Sequence, residues 1–190
     1  MSEGAPRFSI LDLAPDDEEA VGQAAKLLVE GFKDNWPEAW PTEADALGEM
    51  REVLGKDRIC RVAFGEDGSV LGWIGGIPGY DGKVWELHPL VVRLDLRRRG
   101  IGRALVADLE ARVGERGALT LWLGTDDESG MTTLSGVELY PDVLSHLANM
   151  ENLRGHPYEF YLGLGFSITG VMPDANGWGK PDIFMAKRCG

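Results

Sequence analysis

Three groups of residues have types and spacings suited to chemistry, and two of them share residues 84–103, V-W-E-L-H-P-L-V-V-R-L-D-L-R-R-R-G-I-G-R. Glu86, His88 and Leu90 occupy alternate positions of a strand-like run and so point to one side of it. A carboxylate and an imidazole placed together can take up a proton directly or through water, although an exposed edge or a structural His–Glu pair has the same spelling. The second group is Arg97, Arg98, Arg99, Gly100, Ile101, Gly102 and Arg103. A basic, glycine-bearing loop opening a helix offers bare backbone N–H groups and the positive end of a dipole to a phosphate. Asp126, Asp127 and Glu128 form the third group, just after another strand-like run. With Glu86 and the flat rings of Trp36 and Tyr80 they suit a bulky polycation carrying several ammonium and hydroxyl groups. By itself, D-D-E also fits a solvated loop or a helix N-terminus.

Charge separates these readings. The chain of 190 residues has 19 Lys+Arg against 31 Asp+Glu, a net −12, yet residues 93–103 hold five arginines and one aspartate, a local +4. An eleven-residue island is too small for a nucleic-acid face, which calls for a basic domain or stripe. It suits a specific anion, or a solvated turn that binds nothing. Dinucleotide binding would need a third small residue where Leu105 stands, and no G-x-x-x-x-G-K-[ST] is present.

What the chain does carry is R-x-x-G-x-G, as Arg97, Gly100 and Gly102, directly after a strand with H-P-L-V-V. Here it resembles the GCN5-related N-acetyltransferases (GNAT), and the resemblance extends over nearly the whole chain. It implies an α+β fold with a mostly antiparallel, twisted sheet of about seven strands, splayed in the middle and flanked by helices. It also implies acetyl-coenzyme A as cosubstrate and no metal. Arg97 to Arg103 would grip the pyrophosphate, and backbone groups of Leu90, Val91 and Val92 would hold the pantetheine arm at the splay. F-Y-L-G-L-G-F at 160–166 is similar to the family's second signature, which places Tyr161 near the cofactor sulfur as the acid for the departing thiolate. Glu86 becomes substrate anchor and base, with His88 supporting. W-E-L-H-P-L-V-V, L-G-T-D-D, H-P-Y-E-F-Y and N-G-W-G-K-P-D together resemble the aminoglycoside 6′-N-acetyltransferase branch. That resemblance makes the acceptor an aminoglycoside-like amine, with Trp36, Tyr80, Glu86, Asp126, Asp127 and Glu128 as its contacts. One departure is Leu94, where family members commonly have proline.

The elements that must position these groups follow from periodicity. Ile101, Leu105, Leu109 and Val113 recur every four residues, predicting a helix with that face on a sheet and Arg103, Asp108, Glu110 and Arg112 outward. Residues 7–13 read as a first strand, and the acidic run 16–19 opens a helix to about Phe32. Thr42 and Asp45 match a capping box. Residues 58–65 and 70–77 flank E-D-G-S as a hairpin, and Gly72, Gly75 and Gly76 suggest close packing against the second strand. Pro89, unable to donate a ladder bond, marks a bulge or a parting of strands. A strand is read at 118–124, a helix at 140–150 inside an insert longer than a minimal family member needs, and two last strands at 167–172 and 180–187.

At this length one domain over residues 1–190 is the simplest organisation. No apolar run approaches a membrane span, and residues 1–7 lack a secretory layout, so a cytoplasmic location is expected. Cys60 and Cys189 match no metal or redox spacing and read as free thiols. Neither lies near the motifs, which argues against an acetyl-cysteine route. A polyamine or protein-amine acetyltransferase and a non-catalytic acyl-CoA sensor are the competing functions. The resemblance alone implies a possible homodimer.

Overall fold

The computed structural model describes residues 6–190; residues 1–5, part of the N-terminal stretch read for a leader, lie outside the described residues. The described residues form an α+β fold of seven strands, mostly antiparallel, flanked by helices, as expected. They divide into two compact units. One runs through Leu121 and includes Cys189–Gly190; the other is Trp122–Arg188.

The first unit opens with strand β1 (Phe8–Asp12) and helix α1 (Glu18–Phe32). Asp17 accepts the Ala20 N–H at 3.0 Å, capping α1, and Glu18 and Glu19 lie at its positive end. Helix α2 (Glu43–Val53) begins with the predicted box: Thr42 Oγ1 accepts from Asp45 N, and Asp45 accepts from Thr42 N. Strands β2 (Ile59–Gly65), β3 (Val70–Gly79) and β4 (Val84–Val92) complete an antiparallel run in the order β1-β2-β3-β4. Their core holds Leu28, Met50, Val62, Trp73 and Val91, all 3% exposed or less. The Trp73 indole N–H is satisfied by the Ala24 carbonyl at 3.0 Å.

Helix α3 (Ile101–Glu115) buries Ile101, Leu105, Leu109 and Val113, the predicted stripe. One expectation fails here. Asp108 turns inward, its carboxylate holding Arg61 of β2 at 2.6 and 3.3 Å, while Ala107 is exposed. Arg61 is 4% exposed and also reaches the Ile10 carbonyl and Asp12, so one guanidinium ties β1, β2 and α3. Burial pushes its pKa down, but the hydrogen bonds and charges of Asp108 and Asp12 outweigh burial and leave it raised. The ion pair meets the desolvation demand because the guanidinium has a partner on each side.

Strand β5 (Thr120–Asp126) leads into the second unit, whose strands follow the order β5-β7-β6. Strands β6 (Ser167–Met172) and β7 (Asp182–Arg188) pair antiparallel, and Trp122 meets Phe184 edge to face at 5.9 Å. The helix expected over 140–150 is shorter: α4 spans Val143–Ala148, its start set back behind Pro141 and the N-cap Asp142. Helix α5 (Tyr158–Leu162) carries Tyr161. Among the described residues no helix is long and apolar enough to cross a membrane.

Candidate functional site

The loop into α3 is shaped for an anion. Arg98 (φ 61°) and Gly100 (φ 90°) both adopt the left-handed conformation, which turns the chain sharply into the helix. The first helical bond runs from Ala104 N to Gly100 O, so the N–H groups of Ile101, Gly102 and Arg103 precede the ladder. No side chain caps this end, and its first turn contains no acid. Those N–H groups, Gly100 without a side chain, and Arg98, Arg99 and Arg103 around them fit a pyrophosphate.

Two arginines of the island have other work. Arg93 grips Asp95 at 2.8 and 3.1 Å. Arg97 donates to the Gly31 carbonyl at 3.0 Å and reaches the Val92 carbonyl at 3.5 Å, tying the loop to the end of α1. Partial burial lowers its pKa, with Asp34 opposing. Arg97 therefore sets the shape of the loop.

Strand β4 alternates strictly, with Trp85, Leu87, Pro89 and Val91 buried and Glu86, His88, Leu90 and Val92 on the half-open face. The predicted irregularity lies at Pro89. Gly76 pairs with Leu87 and Ile74 with Leu90, so His88 and Pro89 together oppose Gly75, a bulge at the residue that cannot donate. A Cβ on Gly75 would stand 2.2 Å from the His88 carbonyl oxygen, which explains the glycine. Beyond the bulge, Arg93 N bonds Leu71 O. Antiparallel alternation then turns the N–H and C=O of Val91 toward β3 and those of Leu90 and Val92 away from it. The backbone groups of Leu90 and Val92 therefore face away from β3, whereas Val91 turns its own toward β3 and buries its side chain.

His88 shares its strand face with Glu86 and meets a second carboxylate from α2. Its Nε2 lies 3.7 Å from Glu49 of α2, and its ring lies 5.9 Å from Trp40. Phe32 packs against both Trp36 (5.5 Å) and Trp40 (4.7 Å), so the two tryptophans line the end of α1. Tyr80 is 82% exposed on a short turn after β3.

In the second unit the three acids separate. Asp127 has no exposure: its carboxylate accepts from Met131 N, Thr132 N and Thr132 Oγ1, each at 2.7 Å. This corrects its reading as a substrate contact, because both oxygens are committed to shaping the loop. Glu128 meets Lys180 at 3.3 Å. Asp126 is half-buried and accepts from Asn176. Below it, the neutral ring of His156 has one nitrogen at the Asp126 carbonyl, 3.1 Å, and the other accepting from Tyr158 N at 3.2 Å. Burial lowers the His156 pKa against the pull of Asp126 and Asp127. Tyr161 is 8% exposed and packs edge-on against Phe160 and Phe166; burial pushes its phenol well above its ordinary value, so it stays protonated.

A separate cavity of about 430 Å³ opens at the C-terminal ends of α2 and α3. Its arginines are engaged, Arg58 with Glu52, Arg112 with Glu115 and Arg116 with the Asp57 carbonyl. Among the described residues no group of three or more His, Cys, Asp or Glu is arranged to hold a metal ion.

Residues 25–131 match the family model of the acetyltransferase (GNAT) family. No curated protein sequence matches the chain. Among solved structures, an aminoglycoside 6′-N-acetyltransferase complexed with coenzyme A is 41% identical, with 95% of this chain and 97% of that one covered and a TM-score of 0.86. The aminoglycoside 6′-N-acetyltransferase from Enterococcus faecium is 40% identical over the same shares, with a TM-score of 0.83. An aminoglycoside 6′-acetyltransferase type Ii is 35% identical, again over 95% and 97%, with a TM-score of 0.70.

Proposed function

The chain belongs to the acetyltransferase (GNAT) family, and from that membership we propose that it moves the acetyl group of acetyl-coenzyme A directly to the 6′-amino group of aminoglycosides. The observation that carries the cofactor half is the uncapped, acid-free first turn of α3 behind left-handed Gly100. Similarity to 6′-N-acetyltransferases over 95% of the chain supports the acceptor.

The thioester supplies an activated acetyl carbonyl; this chain's residues supply the rest. The N–H groups of Ile101, Gly102 and Arg103, with Arg98, Arg99 and Gly100, hold the pyrophosphate, while backbone groups of Leu90 and Val92 orient the arm. Glu86 anchors the acceptor ammonium and takes its proton, with His88 in support. Asp126, Trp36 and Tyr80 receive the rest of the polycation. Tyr161 gives the departing thiolate its proton, a phenol held neutral by its apolar surroundings. Direct transfer is supported by the cysteines: Cys60 and Cys189 are both buried, and burial first, then Asp12, pushes the Cys60 thiol up to about 12, which disfavours the thiolate that would carry an acetyl group there.

The proposed organisation is a single GNAT domain, cytoplasmic, and a homodimer. Two free thiols support the reducing compartment; the dimer rests on family resemblance. The deciding experiment measures acetyl-CoA consumption with aminoglycosides, polyamines and peptides and maps the product by NMR. Kanamycin should turn over and a close analogue with a 6′-hydroxyl should not. Equal turnover of the two would put the acetyl group elsewhere and overturn the regiochemistry.

A further inference from the structure

Glu49 has no part in the scheme above. It lies on α2 between the buried Ala46, Met50 and Val53, its side chain is 16% exposed, and its Oε1 stands 3.7 Å from Nε2 of His88. A carboxylate so far withdrawn from water normally sits against an arginine or lysine. Here it faces an imidazole. The distance exceeds a hydrogen bond, so the contact is electrostatic. Trp40 stands against the same ring, at 47° to it, while the His88 side chain remains 41% exposed and open to a proton donor.

We infer that Glu49 is a positioning residue for the proposed acetyl transfer, orienting His88 and selecting the tautomer that carries its N–H on Nε2. Negative charge opposite Nε2 favours a proton there, and a neutral imidazole of that form has its lone pair on Nδ1. When the acceptor ammonium is deprotonated, its N–H bond breaks and the electron pair stays on nitrogen. The proton passes through Glu86 or a water to Nδ1. The resulting imidazolium is stabilised by Glu49 from α2 and by Glu86, which shares its strand face. The amine attacks the thioester carbonyl, the C–S bond breaks with its electron pair leaving on sulfur, Tyr161 protonates the thiolate, and the second N–H proton, released from the new amide nitrogen, restores the phenol. A histidine oriented by a carboxylate is a recurrent device in acid–base sites. The kinetic part of this inference rests on the aminoglycoside reading; the Glu49–His88 contact does not.

The test uses the full chain and four proteins: wild type, Glu49→Gln, His88→Gln and the double variant. With 3 histidines in the sequence, the His88 signals in ¹⁵N correlation spectra are identified by their loss in His88→Gln. The wild-type spectrum should show the Nε2–H form of His88, and Glu49→Gln should shift it toward a mixture. In kinetics, Glu49→Gln should lower kcat about tenfold with KM for acetyl-CoA within about twofold, and the double variant should be no slower than His88→Gln alone. An Nδ1–H tautomer in wild type overturns the inference without any variant having to fold. So does an unchanged His88 spectrum in Glu49→Gln, or a pair of losses that multiply in the double variant. If wild type acetylates no aminoglycoside, the functional reading falls by itself, and the spectra still decide the role of Glu49.

Discussion

Replacing Gly75 with alanine adds one methyl group at the point where β3 meets the bulge of β4. That Cβ would lie 2.2 Å from the His88 carbonyl oxygen, 3.0 Å from Val53 Cγ1 and 3.1 Å from the His88 carbonyl carbon. Relief to an ordinary carbon–oxygen contact of about 3.3 Å requires a backbone shift of about 1 Å. The obstacle is main chain, so no side chain can swing away. Gly75 is also paired with Cys60 of β2, which opposes retreat on its own side. Overpacking of this kind costs about 1–3 kcal/mol, a fall in Tm of roughly 2–12 °C for a chain of this length. The larger effect should be on turnover. Moving His88 by about 1 Å misaligns it and its neighbour Glu86, and displacements of that size can cost about a hundredfold. Thermal unfolding and steady-state kinetics with kanamycin read both quantities. Wild-type kcat together with an unchanged Tm would show that β4 yields freely at the bulge, refuting the claim that this contact sets the face bearing Glu86 and His88.

Gly102→Asp puts a carboxylate in the first turn of α3, and calorimetry should show the Kd for coenzyme A rising about tenfold, equivalent to ~1.4 kcal/mol. Tyr161→Phe keeps the ring packed on Phe160 and Phe166 but removes the proposed proton donor; kcat should fall about tenfold to a hundredfold with substrate KM little changed. Asp108→Asn leaves the 4%-exposed Arg61 with the exposed Asp12 as its remaining carboxylate, and urea unfolding should show a loss of about 3 kcal/mol. His156 has a depressed folded pKa, so its contribution to stability is complete above its unfolded value near 6.5 and declines as pH falls from there toward the folded value. A slope of up to about 1.4 kcal/mol per pH unit should therefore appear below pH 6.5 in wild type and vanish in a folded His156→Gln variant.

Local patterns carried the elements. The four-residue stripe of α3, the Thr42–Asp45 box, the glycines of β3 and the donor-less Pro89 are each visible in a short run of sequence, even where, as at Gly75, a neighbouring strand imposes the constraint. Pairings between distant segments left no such trace. Asp108 occupies what periodicity calls the outer face of α3, and only the approach of β2, 47 residues away, gives it Arg61. Glu49 is one acid among several in α2 until the fold brings it to His88. D-D-E has the composition of a solvated turn, yet one of its three carboxylates is wholly buried because the chain folds back to offer it Met131 and Thr132. Arg97 likewise looks like a phosphate ligand by motif, and the Gly31 carbonyl that engages it lies 66 residues away.

The anchorage of Asp127 bears on how the loop after β5 tolerates substitution. Two of its three hydrogen bonds go to backbone N–H groups, which every residue except proline possesses. The turn from 128 to 130 is therefore held in place from underneath, with little dependence on what its own side chains are. Substitutions at Glu128, which forfeit its contact with Lys180, should leave the path of the turn in place. Asp127, the member of the trio with no view of solvent, is the one whose loss would release the turn.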